Sequence, residues 1–187
     1  PQGGNASSLI ADLTLSMIEF RHLKDATNIP RDSATFRYVD DLAIINFDLQ
    51  PGIYSPELNL TTEAQNSKGE INYLDLTITL PSGKIKLYNK TDYFKFHVFT
   101  FMHHDCAISK NTSTGILTSQ MIRFARINSE CVDFFNSIKR LIDSYTNNGH
   151  LKQILDQTIK SFCHKYIHTL YRYDLFHYKK AYINIMK

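Results

Sequence analysis

The sequence has no tryptophan, three cysteines, five prolines and seven glycines among its 187 residues. So few cysteines exclude a disulfide scaffold, and so little proline and glycine excludes collagen-like and low-complexity chains. No apolar run approaches the ~20 residues that cross a bilayer, so no membrane partner is expected. No charged-then-apolar leader precedes a small-residue cleavage site, which predicts the absence of a secretory signal. Cys106, Cys131 and Cys163 are odd in number and widely spaced, the pattern of buried reduced thiols in an intracellular protein. What is present is ordinary globular material, 43% apolar, 12% aromatic and 21% charged, one domain's worth of chain with enough apolar surface for a core. The first residue is Pro rather than Met, and the numbering is read as beginning inside a longer frame.

Charge is unevenly spread. Residues 1–70 carry five Lys/Arg against ten Asp/Glu, residues 71–150 nine against six, and residues 151–187 seven against two. An acidic first third followed by basic segments fits an acidic chemical centre beside a polyanion-binding surface.

Leu9, Leu13, Met17 and Phe20 keep one apolar stripe at helical spacing, predicting a helix from about Ser7 to Lys24. Two strands follow, Ala34 to Tyr38 and Leu42 to Phe47, around a very short acidic turn. Leu74, Leu76, Ile78 and Leu80 alternate with Asp75, Thr77 and Thr79, then Pro81-Ser82-Gly83 turns the chain into Lys84 to Tyr88, a hairpin pattern. From about Gly115 the pattern is helical. A first helix runs to about Ile127, and Ser129 is the expected cap of a second, which stops at Asn148-Gly149. A third starts at Leu151 and is read as continuing toward Tyr178.

The residues with most chemistry are Tyr38-Val39-Asp40-Asp41. Two adjacent carboxylates at a hairpin tip offer hard oxygen ligands for Mg²⁺, which prefers carboxylates combined with substrate phosphates. Asp-Asp is also simply a good turn former. The surrounding blocks decide between these. Pro1-Gln2-Gly3, the Tyr-Val-Asp-Asp segment between apolar strands, Tyr73-Leu74-Asp75-Leu76, Leu87 to Phe94 and Ser119 to Arg126 occur in an order that resembles the reverse transcriptase family. The later blocks are most similar to Penelope-like and related retroelement-derived enzymes.

The resemblance implies an α+β fold: a partial reverse-transcriptase palm of antiparallel strands plus helix in residues 1–92, then connection and an α-helical thumb in 93–187. It implies that Asp40 and Asp41 are the catalytic, metal-holding carboxylates, serving two Mg²⁺ ions in an intact enzyme. Tyr38 and Val39 would lie beneath the primer terminus and incoming nucleotide, and Gln2 and Gly3 would contact template and nucleotide. The hairpin with Tyr73, Leu74 and Asp75 would grip the primer end. The family's fingers and first catalytic aspartate precede the Pro-Gln-Gly segment, so this chain is expected to need another segment or chain to complete the palm.

Gln120, Arg123 and Arg126 share one predicted helix face and suit the backbone of an RNA or RNA/DNA duplex. Lys84 and Lys86 suit a polyanion equally with an edge strand guarded by lysines. His103, His104, Cys106 and Cys163-His164 lack a second ligand pair at zinc spacing and are read as having no metal role. Tyr166, Tyr171, Tyr173 and Tyr178 interleave with Lys165, Arg172, Lys179 and Lys180, a composition that fits either RNA contact or a helix packed on its own domain.

The expected function is the C-terminal half of an RNA-directed DNA polymerase, located in the nucleus or mitochondrion. The alternative, from a different class, is a domesticated fragment serving as a non-catalytic RNA-binding or structural subunit of a ribonucleoprotein. No internal repeat occurs in either case.

Overall fold

The computed structural model describes residues 7–25, 31–39, 41–46, 69–96, 98 and 101–186. The architecture is mixed α+β, with helices and two small antiparallel sheets. The chain divides into two units, Pro1–Ala64 and Gln65–Lys187.

In the first unit, helix α1 (Ser7–Asp25) carries the predicted apolar stripe, and strands β1 (Ala34–Tyr38) and β2 (Asp41–Ile45) pair as a hairpin. Register runs from Ala34 opposite Ile45 to Tyr38 opposite Asp41, leaving positions 39 and 40 as the loop. Strand β2 begins one residue before the expected Leu42 and ends at Ile45, where Asn46 takes a positive φ of 61°; Phe47 lies outside the described residues. The Asn46 amide donates to the backbone carbonyl and side-chain carboxylate of Asp32, closing the hairpin base. No described residue of this unit is buried, and the α1 stripe is bare: Leu9 is 60% and Phe20 67% exposed.

The second unit opens with a three-stranded sheet, β3 (Glu70–Tyr73), β4 (Leu76–Thr79) and β5 (Lys84–Leu87) in sequential order. The alternating run from Leu74 to Leu80 is therefore not one strand. The chain reverses at Leu74-Asp75, where Leu74 adopts φ 57°, and the residues before it form a strand that periodicity did not reveal. Gly69 sits where a Cβ would come within 2.8 Å of the Leu80 carbonyl oxygen, so only glycine allows its carbonyl to accept the Leu80 N–H.

Helices α2 (Lys110–Ile127), α3 (Cys131–Asn147), α4 (Lys152–Lys165), α5 (Ile167–Leu170) and α6 (Tyr178–Met186) follow. Helix α2 starts earlier than Gly115 because Ser109 caps it, its Oγ accepting from Thr112 N–H at 3.2 Å. The first turn is polar, which hid it from an apolar-stripe reading. Helix α3 ends at Asn148-Gly149 as expected, with Gly149 at φ 79°. The third helix does not continue to Tyr178. It breaks at Tyr166, and a later turn closes with Asp174 in the left-handed region before α6 begins.

One core holds this unit. Leu117, Met121, Phe134, Ile138, Ile159, Phe162 and Leu170 are completely or almost completely buried, and α6 packs on α3 and α4 while α2 and α3 pack on β5. The outer edge of β5 is not left open. Ser129 Oγ accepts from Ile85 N–H, Ser129 N–H donates to the Ile85 carbonyl, and Asn128 Oδ1 accepts from Leu87 N–H. Thus Ser129 is a sheet-edge partner rather than the expected helix cap; the N-cap of α3 is Glu130, without a side-chain cap bond. Among the described residues, no helix is long and apolar enough to cross a membrane.

Candidate metal and nucleic-acid site

In the first unit, Arg37 fixes the acidic hairpin to α1. Its guanidinium makes ion pairs with Asp12 at 2.7 Å and Glu19 at 2.9 Å, and donates to Ser16 Oγ at 2.7 Å. Asp12, Ser16 and Glu19 recur at four- and three-residue steps, so one face of the helix presents all three acceptors. The Arg37 side chain is only 12% exposed. Burial works to lower its pKa, but Asp12 and Glu19 outweigh it and hold the guanidinium above its ordinary value. A further contact at 3.4 Å reaches the carbonyl of Val39, at the loop itself.

Side chains alternate across a hairpin, so with Arg37 turned to α1 the opposite face carries Phe36, Tyr38 and, by register, Asp41. Tyr38, Val39 and Asp41 are all exposed. Val39 has φ 55°, a region that a β-branched residue seldom enters and that costs about 1–3 kcal/mol. Asp40, Gln2 and Gly3 lie outside the described residues. So does the remainder of the acidic first third between 47 and 68. Asp41 makes no ion pair among the described residues.

Asp41 is an exposed carboxylate at the hairpin mouth, and carboxylate oxygens are the hard donors that Mg²⁺ prefers. Among the described residues, no three His, Cys, Asp or Glu side chains converge as a metal site.

In the second unit, several predicted contact residues meet one another. Asp75, in the β3–β4 turn, forms an ion pair with Arg123 of α2, and the Arg123 Nη1 donates to Gln120 Oε1 at 3.3 Å. Asp75 is also held through its backbone, its carbonyl accepting from Tyr88 N–H at 2.8 Å. Tyr73 and Leu74, which flank this turn, are half-buried. Lys84 pairs with Glu130 at 3.0 Å and Lys86 with Glu70 at 2.6 Å. Arg126, one helical step beyond Arg123, is exposed and has no ion pair among the described residues. The block around Lys90-Thr91-Asp92 forms a self-bonded turn: Asn89 caps it and Arg140 holds Asp92 at 2.9 Å.

The aromatic-basic tail divides by role. Arg172 and Tyr173 both reach the end of α2: exposed Arg172 donates to the Arg126 carbonyl, and the buried Tyr173 hydroxyl donates to the carbonyls of Ala125 and Asn128. Burial pushes Tyr173 up to about 12. Tyr171 and Tyr178 remain exposed. Burial likewise pushes the Cys163 thiol up to about 12, as expected of an inert core cysteine. Sequence spacing gave no sign of these tertiary partners, nor of Arg37 as the residue that fixes the acidic hairpin.

No family model matches the chain, and neither a curated protein nor a solved structure matches it.

Proposed function

We propose that the chain is the later palm and thumb portion of a reverse transcriptase, acting on an RNA template through nucleotidyl transfer. The observation that supports this most is Val39. The two-residue loop before Asp41 needs a positive φ at its first position, and Gly, Asn or Asp would adopt the observed 55° more cheaply than the β-branched valine that stands there. Strain of this kind concentrates where a backbone must present a group in one orientation. Arg37 opposes relaxation by tying the loop carbonyl and the strand to α1.

In this reading Asp40 and Asp41 would hold Mg²⁺, which when bound would supply the positive charge that lowers the barrier to 3′-hydroxyl attack and to pyrophosphate departure. Tyr38 and Val39 support the primer end and the nucleotide from the exposed hairpin face. Gln2 and Gly3 contact template and nucleotide, glycine allowing close approach of backbone. Tyr73 and Leu74 present the hairpin that grips the primer, with Asp75 at its turn. Arg123 and Arg126, with Gln120, Lys84 and Lys86, engage the sugar-phosphate backbone of an RNA/DNA hybrid, which is recognised by shape rather than base edges.

The test is primer extension on an RNA template with deoxynucleotides and Mg²⁺, using the chain alone and the chain within its full reading frame. Extension by the longer form supports the reading. Hybrid binding without extension by either form favours a non-catalytic nucleic-acid-binding subunit instead.

A further inference from the structure

We propose that Asp75 is a built-in competitor for the phosphate that Arg123 would bind, so that nucleic acid must displace a carboxylate to engage this helix face; the inference rests on the nucleic-acid reading above. A guanidinium pairs with carboxylate and phosphate through the same planar fork, which makes the two ligands exchangeable at one arginine. The Arg123 side chain is 43% exposed and Asp75 41%, so the pair lies at the surface and is open to an incoming anion. Gln120 holds Nη1 while Asp75 takes Nη2, so the fork is already oriented and both of its terminal nitrogens have a partner.

The arrangement differs from an ordinary surface pair in where Asp75 stands. Its backbone carbonyl is bonded to Tyr88 N–H, and Leu74 beside it is fixed at positive φ. The turn therefore presents the carboxylate to α2 from a held backbone. Losing Arg123 to a phosphate would leave Asp75 next to that phosphate, and like charges there oppose binding. On strand β5 of the same unit, Lys84 and Lys86 are likewise paired, with Glu130 and Glu70, so these cations too are neutralised from within the unit. Arg126, one helical step from Arg123, is exposed and without an ion pair among the described residues, and would make the first contact before Arg123 exchanges partners.

Neutralising Asp75 should then strengthen binding rather than weaken it. We expect Asp75→Asn to bind an RNA/DNA hybrid roughly two- to fivefold more tightly near 0.1 M salt, about the value of an exposed ion pair. Arg123→Ala should cost more affinity in the Asp75→Asn background than in the original chain. Asp75→Ser provides a second neutral variant if the amide disturbs the turn, and thermal unfolding of each variant reports the fold.

A gain in affinity by either variant, with the fold retained, supports the exchange. Hybrid binding by the original chain with no gain in either variant overturns it and leaves Asp75 as a structural tie. Absence of hybrid binding in the original chain and both variants overturns the nucleic-acid reading itself, and the exchange with it.

Discussion

Val39 is the residue whose conformation asks for a reason. Its Cβ crowds the backbone at φ 55°, a cost of about 1–2 kcal/mol that glycine avoids, against about 0.5–1 kcal/mol of extra chain entropy lost by glycine. Val39→Gly should therefore leave the β1–β2 hairpin equally stable or up to ~1 kcal/mol more stable, read as slower amide exchange at Phe36 and Ala43. Primer extension should fall in the same variant, because the side chain beneath the nucleotide is gone. Faster exchange in Val39→Gly would show that the valine stabilises the loop and remove the strain argument. None of this backbone geometry was legible in the sequence. Tyr-Val-Asp-Asp between apolar runs announces a hairpin tip, but a positive φ at valine contradicts its propensity. Arg37 reads equally as a solvent-facing strand residue until α1 is placed against it. The same holds for Arg123 and Asp75, whose spacing in the chain carries no sign that they meet.

At the scale of elements, the joint between α2 and α3 ties helices to sheet. Asn128 is fully buried, its amide donating to the Phe124 carbonyl while its Oδ1 accepts from β5. The Tyr173 hydroxyl meets the Ala125 and Asn128 carbonyls from the other side. Tyr173→Phe should cost about 1–3 kcal/mol, the penalty for leaving buried acceptors without a donor. The pH dependence follows from burial. Tyr173 and Cys163 are both pushed up to about 12, so the folded protein retains protons that the unfolded chain gives up near 10 and 9. Their contribution to stability is complete below about pH 9 and is lost as pH rises toward 12. The unfolding midpoint should fall steadily over that range, and less steeply in Tyr173→Phe. A parallel decline in the variant would assign the alkaline loss to other groups. Element existence was largely legible, because α1, α3 and β1 have clear periodicity and the Asn-Gly stop is local chemistry. Element limits were not. The Leu74 turn imitates a strand by continuing its alternation, and the break at Tyr166 interrupts an apolar stripe that never loses its period.

At the scale of the molecule, the two units differ in how much core each owns. The Gln65–Lys187 unit buries Leu117, Phe134, Ile138, Ile159 and Phe162 in one cluster. In Pro1–Ala64, no described side chain is buried, and Leu9, Leu13, Met17, Phe20 and Phe36 are all more than half exposed. Each such side chain forgoes roughly 1.5–3 kcal/mol of burial. In the isolated chain, amide exchange should be slow through α2, α3 and α4 and much faster through α1 and the β1–β2 hairpin. Protection of the first unit should rise when another polypeptide segment or a nucleic acid covers it. Equal protection in both units of a monomer would mean that the first unit closes its own core. Composition had already separated an acidic first third from basic later segments, but the boundary between units follows packing. The β3–β5 sheet lies in the second unit because Asn128 and Ser129 seal its edge, a contact no pattern of hydrophobicity encodes.

The most direct measurement of the proposed chemistry compares the original protein, in its full reading frame, with Asp40→Asn and Asp41→Asn. Each sample is assayed for RNA/DNA hybrid binding and for Mg²⁺-dependent primer extension on an RNA template. A carboxamide keeps the shape of the loop but is a poor ligand for a hard cation, so hybrid binding should stay within about twofold. Extension should drop by at least ~100-fold, since even loss of groups behind a metal ligand costs about 10–100-fold. Extension that persists undiminished in Asp40→Asn, or no extension by the original protein, would contradict a nucleotidyl-transfer role for this hairpin.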